Sequence, residues 1–245
     1  MGLRPIFIPH SHTMTSPRPQ LLALVFLLVQ SAPTETSAQV AVCRSRDSLQ
    51  RSIEQNAENR LVELKTRIPS LEYELRYASS NNFIGKPMYP TRTRVTFLRK
   101  PAAEALQKVQ QELNRQGLGL KIWDAYRPYS VTVAFWELIR DERYVANPAK
   151  GSGHNRGIAV DLTLIELASG KEIDMGTGFD HFSDTAHHTF DQLPIPVSSN
   201  RNLLRATMEK YGFKKYEEEW WHYSWPDPSR FEVLDIPFEK LKRMR

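Results

Sequence analysis

The chain has 245 residues, 40% of them hydrophobic and 25% charged, with a formal net charge of +5. Those proportions fit one ordinary globular domain and exclude a fibrous or disordered chain. Charges are well mixed, and no repeat, phosphate-cradling loop or basic–aromatic block suited to nucleic acid occurs.

At the N-terminus, Arg18 precedes nine consecutive apolar residues, Leu21 to Val29, and the small and polar run Thr36-Ser37-Ala38 follows before Gln39. That layout predicts a secretory signal peptide over residues 1–38, and nine residues are too few to span a bilayer. Starting at Met14 gives a leader of ordinary proportions. The sole cysteine, Cys43, excludes an intramolecular disulfide. It follows Val40-Ala41-Val42, a poor match to a bacterial lipoprotein signal, so the expectation is a soluble exported protein without a lipid anchor. Such a protein would act in a bacterial periplasm or at the cell surface.

Residues 39–70 read as an N-terminal extension, polar and helical over about 44–66, and 71–245 as the domain proper. A strand is predicted over 71–78. A helix over 101–116 is opened by Pro101 and closed by Gly117. Next come a strand near 118–123, a helix near 130–141, a strand at 158–164, a helix at 201–211 and an aromatic strand near 213–223. The hairpin-like stretch from Leu162 to Ile173 argues against a doubly wound parallel sheet. The predicted class is α+β, a small antiparallel sheet with packed helices.

Two segments carry chemistry. In Ser152-Gly153-His154-Asn155-Arg156-Gly157-Ile158-Ala159-Val160-Asp161, the last residues alternate, with Ile158, Val160, Leu162 and Leu164 on an aliphatic face. Asp161 then lies on the opposite, small and polar face. Seven residues of unbroken strand would separate His154 from Asp161 by more than about 20 Å, so the Asn-Arg-Gly turn must fold the histidine back. The second segment is Glu219-Trp220-Trp221-His222. Its three-residue offset puts Glu219 and His222 on opposite faces of a regular strand, so convergence demands a bulge or a strand end there.

His154, Asp161 and His222 together make a two-imidazole, one-carboxylate ligand set, which leaves one open position on a tetrahedral zinc. Glu219 would be the nearby free carboxylate that accepts a proton from water. Singly, each residue has an ordinary reading as a core histidine or a solvated acid, and the joint pattern reverses that balance. Of the remaining histidines, the adjacent His187 and His188 are the strongest decoys. Arg127, at a strand-to-helix junction, has two readings: an oxyanion donor, or a structural partner of Asp124.

These blocks resemble the D-alanyl-D-alanine dipeptidases, the VanX-type zinc peptidases with a Hedgehog/DD-peptidase-like fold. The resemblance runs from about Leu75 to Tyr223. It is carried by Arg76 to Gly85, Trp123-Asp124-Ala125-Tyr126-Arg127-Pro128, Gly151 to Asp161, Met175 to Asp180 and Glu219 to Tyr223. It implies one zinc on His154, Asp161 and His222, Glu219 as general base, and Arg127 as stabiliser of the tetrahedral intermediate. Ser152 and Asp180 would hold a small dipeptide, with Asp180 facing its free ammonium and Tyr77 lining the same pocket. A related peptidoglycan DD-carboxypeptidase and a non-catalytic zinc module binding cell-wall fragments are the alternatives. The first would have to accept an acylated amine near Asp180, and the second would need neither Glu219 nor Arg127.

Overall fold

The computed structural model describes residues 40–244; the expected leader over 1–38 lies outside the described residues. In chain order the elements are β1 (Val42–Cys43), α1 (Arg46–Gln55), β2 (Leu61–Glu63), α2 (Leu64–Arg67), β3 (Glu72–Tyr73), β4 (Phe97–Arg99) and α3 (Lys100–Asn114). There follow β5 (Leu118–Asp124), α4 (Tyr129–Ile139), β6 (Ala159–Glu166), α5 (Ile195–Lys210), β7 (Lys214–Tyr216), β8 (Glu219–Ser224), β9 (Val233–Leu234) and α6 (Phe238–Lys242). The main sheet has the order β3-β5-β6-β8-β7. Every neighbouring pair in it is antiparallel except β3 with β5. Two further two-stranded ribbons pair β1 with β9 and β2 with β4. The class is α+β, as the sequence predicts.

The main core follows from periodicity. Helix α3 buries Ala102, Ala103, Ala105, Leu106, Val109 and Leu113, a stripe at helical spacing. The stripe joins Leu120 and Ile122 of β5, Val160, Leu162 and Leu164 of β6, and Leu204 and Met208 of α5. Burying an aliphatic side chain of this kind is worth about 1.5–3 kcal/mol. The cluster therefore fixes which face of β6 is turned away from it, and that is the face of Asp161.

Several expected boundaries shift. Only Glu72–Tyr73 pairs as a strand within 71–78, because residues 76–78 turn into a 3₁₀ helix that buries Tyr77. The predicted helix over 44–66 stops at Gln55, and Leu61–Glu63 pairs instead with Phe97–Arg99. The helix expected at 201–211 begins at Ile195, with a proline in its first turn, where a missing N–H costs nothing. The aromatic strand at 213–223 is a hairpin, β7 and β8 joined at Glu217 and Glu218. The turn between Leu162 and Ile173 is also a hairpin, with Ile173 N–H donating to Leu164 O.

Candidate active site

Strand register assembles the centre of the site. Asp161 of β6 sits directly opposite His222 of β8, and opposite Asp124 of β5 on the other side. The β5 pairing shifts between Ile122 and Asp124, and that irregularity brings the Asp124 side chain to this level. Cross-strand neighbours have Cβ atoms about 4.5–5.5 Å apart, so three polar side chains converge by topology alone.

His154 arrives from the turn. Gly157 has φ +69° and donates to His154 O, while Ile158 N–H donates to Gly153 O, folding the chain back before β6. A Cβ on Gly157 would lie 2.7 Å from Leu61 Cδ2, so the left-handed, tightly packed position requires glycine. Asn155 fixes the turn from inside: its amide donates to Arg127 O and Thr132 Oγ1, and its Oδ1 accepts from Ser152 N–H.

The donor atoms of His154, Asp161 and His222 lie within 4.8 Å of one another. His154 Nε2 is 3.3 Å from His222 Nδ1 and 3.4 Å from Asp161 Oδ2, and His222 Nδ1 is 2.9 Å from Asp161 Oδ1. Tetrahedral zinc with bonds of ~2.0–2.1 Å needs donor atoms about 3.3 Å apart, and this trio matches. The carbonyl beside His154 fixes its tautomer, and the Ser224 hydroxyl can accept from His222. His154 Nδ1 lies 2.7 Å from Ala125 O, which only accepts, and His222 Nε2 lies 3.2 Å from Ser224 Oγ. Protons on those nitrogens leave lone pairs on His154 Nε2 and His222 Nδ1 directed at one point. Burial pushes the Asp161 carboxyl up, but the two imidazoles outweigh it and hold the group below the usual carboxylate range. The residues fit a bound divalent metal.

Glu219 opens β8 beside an irregular step in the β7–β8 pairing, so strict alternation does not hold there. Its Oε2 lies 3.7 Å from His222 Nδ1. Burial and the Asp161 charge, opposed by His222 and Arg127, push its carboxyl up to about 7. Arg127 lies on the chain between β5 and α4, and its N–H donates to His154 O. Its Nε and Nη2 both donate to Asp124 Oδ2, at 3.0 and 2.8 Å. The guanidinium stacks over Tyr77 and Phe135 at 5.1 and 5.0 Å. Arg127 is thus the partner of Asp124 in a buried ion pair, and its side chain also lines the cavity.

The cavity has a volume of about 270 Å³, small enough to select small ligands. His154, Asp161, His222, Glu219, Arg127, Ser152, Asp180 and Tyr77 all line it. Tyr77 Oη donates to both Asp180 oxygens, at 3.2 and 3.0 Å. Asp180 has φ +57°, a backbone geometry uncommon outside glycine that turns its side chain inward. Burial and the charges of Asp161 and Glu219 push its carboxyl well above the usual range. The hydroxyl of Ser152 accepts from His154 N–H. His187 and His188 stay apart from the trio: His188 packs against the Tyr223 ring instead.

Other residues complete the site, Asp124 among them as the partner that the sequence offered for Arg127. Asp124 anchors Arg127 while accepting from Tyr89 Oη and Ala125 N–H. Asn155 braces the turn, and Phe83, Phe135 and Tyr216 wall the cavity. Asn155 was legible in principle, because a buried amide before Arg-Gly is a turn brace; the aromatics carry no local signal.

A cavity that presents two imidazoles and a carboxylate at tetrahedral spacing, with a further carboxylate beside them, belongs to the class of metal-dependent hydrolases. The profile of the peptidase M15 D-Ala-D-Ala dipeptidase family matches residues 57–241, and the chain belongs to that family. It is 38% identical over 178 residues to a D-alanyl-D-alanine dipeptidase of Escherichia coli strain K12, covering 73% of this chain and 91% of that one. To a D-alanyl-D-alanine dipeptidase of Enterococcus faecalis it is 33% identical, covering 74% and 95%. A solved zinc complex of the vancomycin-resistance D,D-pentapeptidase VanY aligns at TM-score 0.35 and 16% identity, over 58% of this chain and 84% of that one.

Proposed function

We propose that this protein hydrolyses D-Ala-D-Ala, or a closely similar D,D-dipeptide, to free amino acids, with one zinc held by His154, Asp161 and His222. The observation that carries the substrate class is Asp180. Burial and two further carboxylates, Asp161 and Glu219, disfavour its charged form, and an ammonium placed beside it would stabilise that form. The free ammonium of a dipeptide supplies that charge, and an acylated amine does not.

Bound zinc would polarise the scissile carbonyl and acidify a water at neutral pH. Glu219 takes a proton from the attacking water and returns it to the leaving amine; its elevated pKa of about 7 suits both transfers. Arg127, held by Asp124 and two aromatic rings, presents permanent positive charge to the developing oxyanion. Asp180 and Tyr77 orient the ammonium end, and the Ser152 hydroxyl donates to the peptide.

Export fits this reading, since D,D-dipeptides derive from cell wall, and the apolar run Leu21 to Val29 fits a secretory leader. Among the described residues, no helix is long and apolar enough to cross a membrane.

The test is ninhydrin detection of free alanine from zinc-loaded protein given D-Ala-D-Ala or its N-acetylated form. Cleavage of the free dipeptide alone is expected. Cleavage of both would favour a carboxypeptidase, and cleavage of neither would overturn the proposal.

A further inference from the structure

Arg201 of α5 is 5% exposed, and among the described residues no carboxylate lies within 4 Å of it. Burial lowers its pKa to about 10, which still leaves it charged at neutral pH. A buried cation with no carboxylate in direct contact is costly, though the Asp174 charge favours it from further away. Nε donates to Met175 O at 2.7 Å, Nη1 to Thr185 O at 2.8 Å and His187 O at 3.4 Å, and Nη2 to Thr177 Oγ1 at 3.4 Å. The guanidinium also lies over the Trp220 ring, 5.6 Å from its centroid. Trp220 Nε1 donates to the same Thr177 hydroxyl at 2.7 Å.

These contacts converge on one object. Residues 174–180 form the loop that ends in Asp180, and α5 grips its start twice, through Asn200 Nδ2 on Asp174 O and through Arg201 on Met175 O. Trp220, the neighbour of Glu219, closes the triangle through Thr177. The loop also packs tightly on α5, since a Cβ on Gly176 would lie 2.8 Å from Val197 Cγ1. Arg201's fork thus spans two loops and the strand that carries Glu219. The aromatic ring of Phe179, next to Asp180, rests on Trp123 and Trp221 at 5.1 and 5.8 Å, so the far end of the loop is also held against the sheet.

We infer that Arg201, through Thr177 and Trp220, is a positioning residue that sets Asp180 relative to Glu219 and thereby determines the affinity for a substrate's free ammonium. This rests on the reading of Asp180 as the ammonium receptor. Lysine at 201 keeps the charge but has a single nitrogen, so it cannot hold Met175, Thr185 and Thr177 in one plane. Valine at 177 removes the shared acceptor and leaves the buried cation in place.

The experiment compares Arg201→Lys, Thr177→Val, Thr177→Ser and Asp180→Asn in zinc-loaded protein. KM and kcat on D-Ala-D-Ala are read beside zinc content and thermal midpoint. Arg201→Lys and Thr177→Val are expected to raise KM about tenfold, equivalent to about 1.4 kcal/mol, with kcat and zinc content within about twofold of the parent. Thr177→Ser, which restores the acceptor, should restore KM. A lowered thermal midpoint with unchanged KM in either Arg201→Lys or Thr177→Val would make the clamp purely structural and overturn the inference. Should Arg201→Lys fail to fold, Thr177→Val against Thr177→Ser decides. If Asp180→Asn leaves KM unchanged, the ammonium reading itself fails, a result distinct from failure of the clamp.

Discussion

Asp124 and Arg127 form a buried ion pair beside the cavity, with side-chain exposures of 0% and 9%. Asp124→Asn keeps an amide oxygen that can accept from Tyr89 Oη and Ala125 N–H but removes the charge facing the guanidinium. Removing one partner of a buried pair costs about 3–5 kcal/mol, because the other charge stays buried and uncompensated. For a chain of this size, 1 kcal/mol moves the thermal midpoint by about 2–4 °C, so a fall of roughly 6–20 °C is expected. Urea titration of chelator-treated protein separates this loss from any change in metal binding. Turnover should fall about 10²–10³-fold if Arg127 is also the oxyanion donor, since its orientation depends on the two bonds to Asp124 Oδ2. The double replacement Asp124→Leu with Arg127→Met should recover most of the stability and none of the activity. A stability loss below about 1 kcal/mol in Asp124→Asn, with activity within threefold, would refute the reasoning.

Glu219→Gln should retain zinc in metal analysis while losing about 10²–10⁴ in kcat; a fully active variant would remove Glu219 as the base. His222→Ala should lose both metal and turnover, since two remaining donors hold zinc poorly. His188 carries a linkage of known sign. Burial pushes its pKa down to about 4 from an unfolded value near 6.5, so the unfolded chain binds the extra proton first as pH falls. Its contribution is whole above about pH 6.5 and is lost progressively toward pH 4. His188→Phe should therefore flatten the acid limb of stability against pH in that window; an unchanged limb in urea melts would show that the imidazole does not titrate as argued.

Much of this was readable from residues alone. Alternation over Ile158 to Leu164 gave the strand, its buried face and the side on which Asp161 emerges. The distance between His154 and Asp161 demanded the turn at Gly157. The odd offset of Glu219 and His222 demanded a bulge or a strand end, and Glu219 is the first residue of β8, beside an irregular step in its pairing with β7. What escaped was set by partners distant in sequence. Leu61 to Glu63 is a strand only because Phe97 to Arg99 lies beside it, and nothing local distinguishes it from the helical, polar stretch before it. Residues 71–78 have strand-like composition, but burying Tyr77 against Phe83, Phe135 and Phe179 wins over continued pairing. Arg201 stands between two asparagines in a helix, and its partners are mainly carbonyls that a sequence does not display.

The direct pairing of Asp161 with His222 has a consequence for how the chain can vary. Side chains along a strand alternate, so sliding β8 by one residue would carry His222 to the opposite face and dismantle the ligand set. Capture of a metal at this trio would thus report correct registry: only chains zipped in one alignment would gain the free energy of the ion. Length changes should accordingly be absorbed by the connections, such as the long stretch from Phe182 to Leu193, and never within 219–224 or between His154 and Asp161. In that sense the ion would proofread the sheet as it forms.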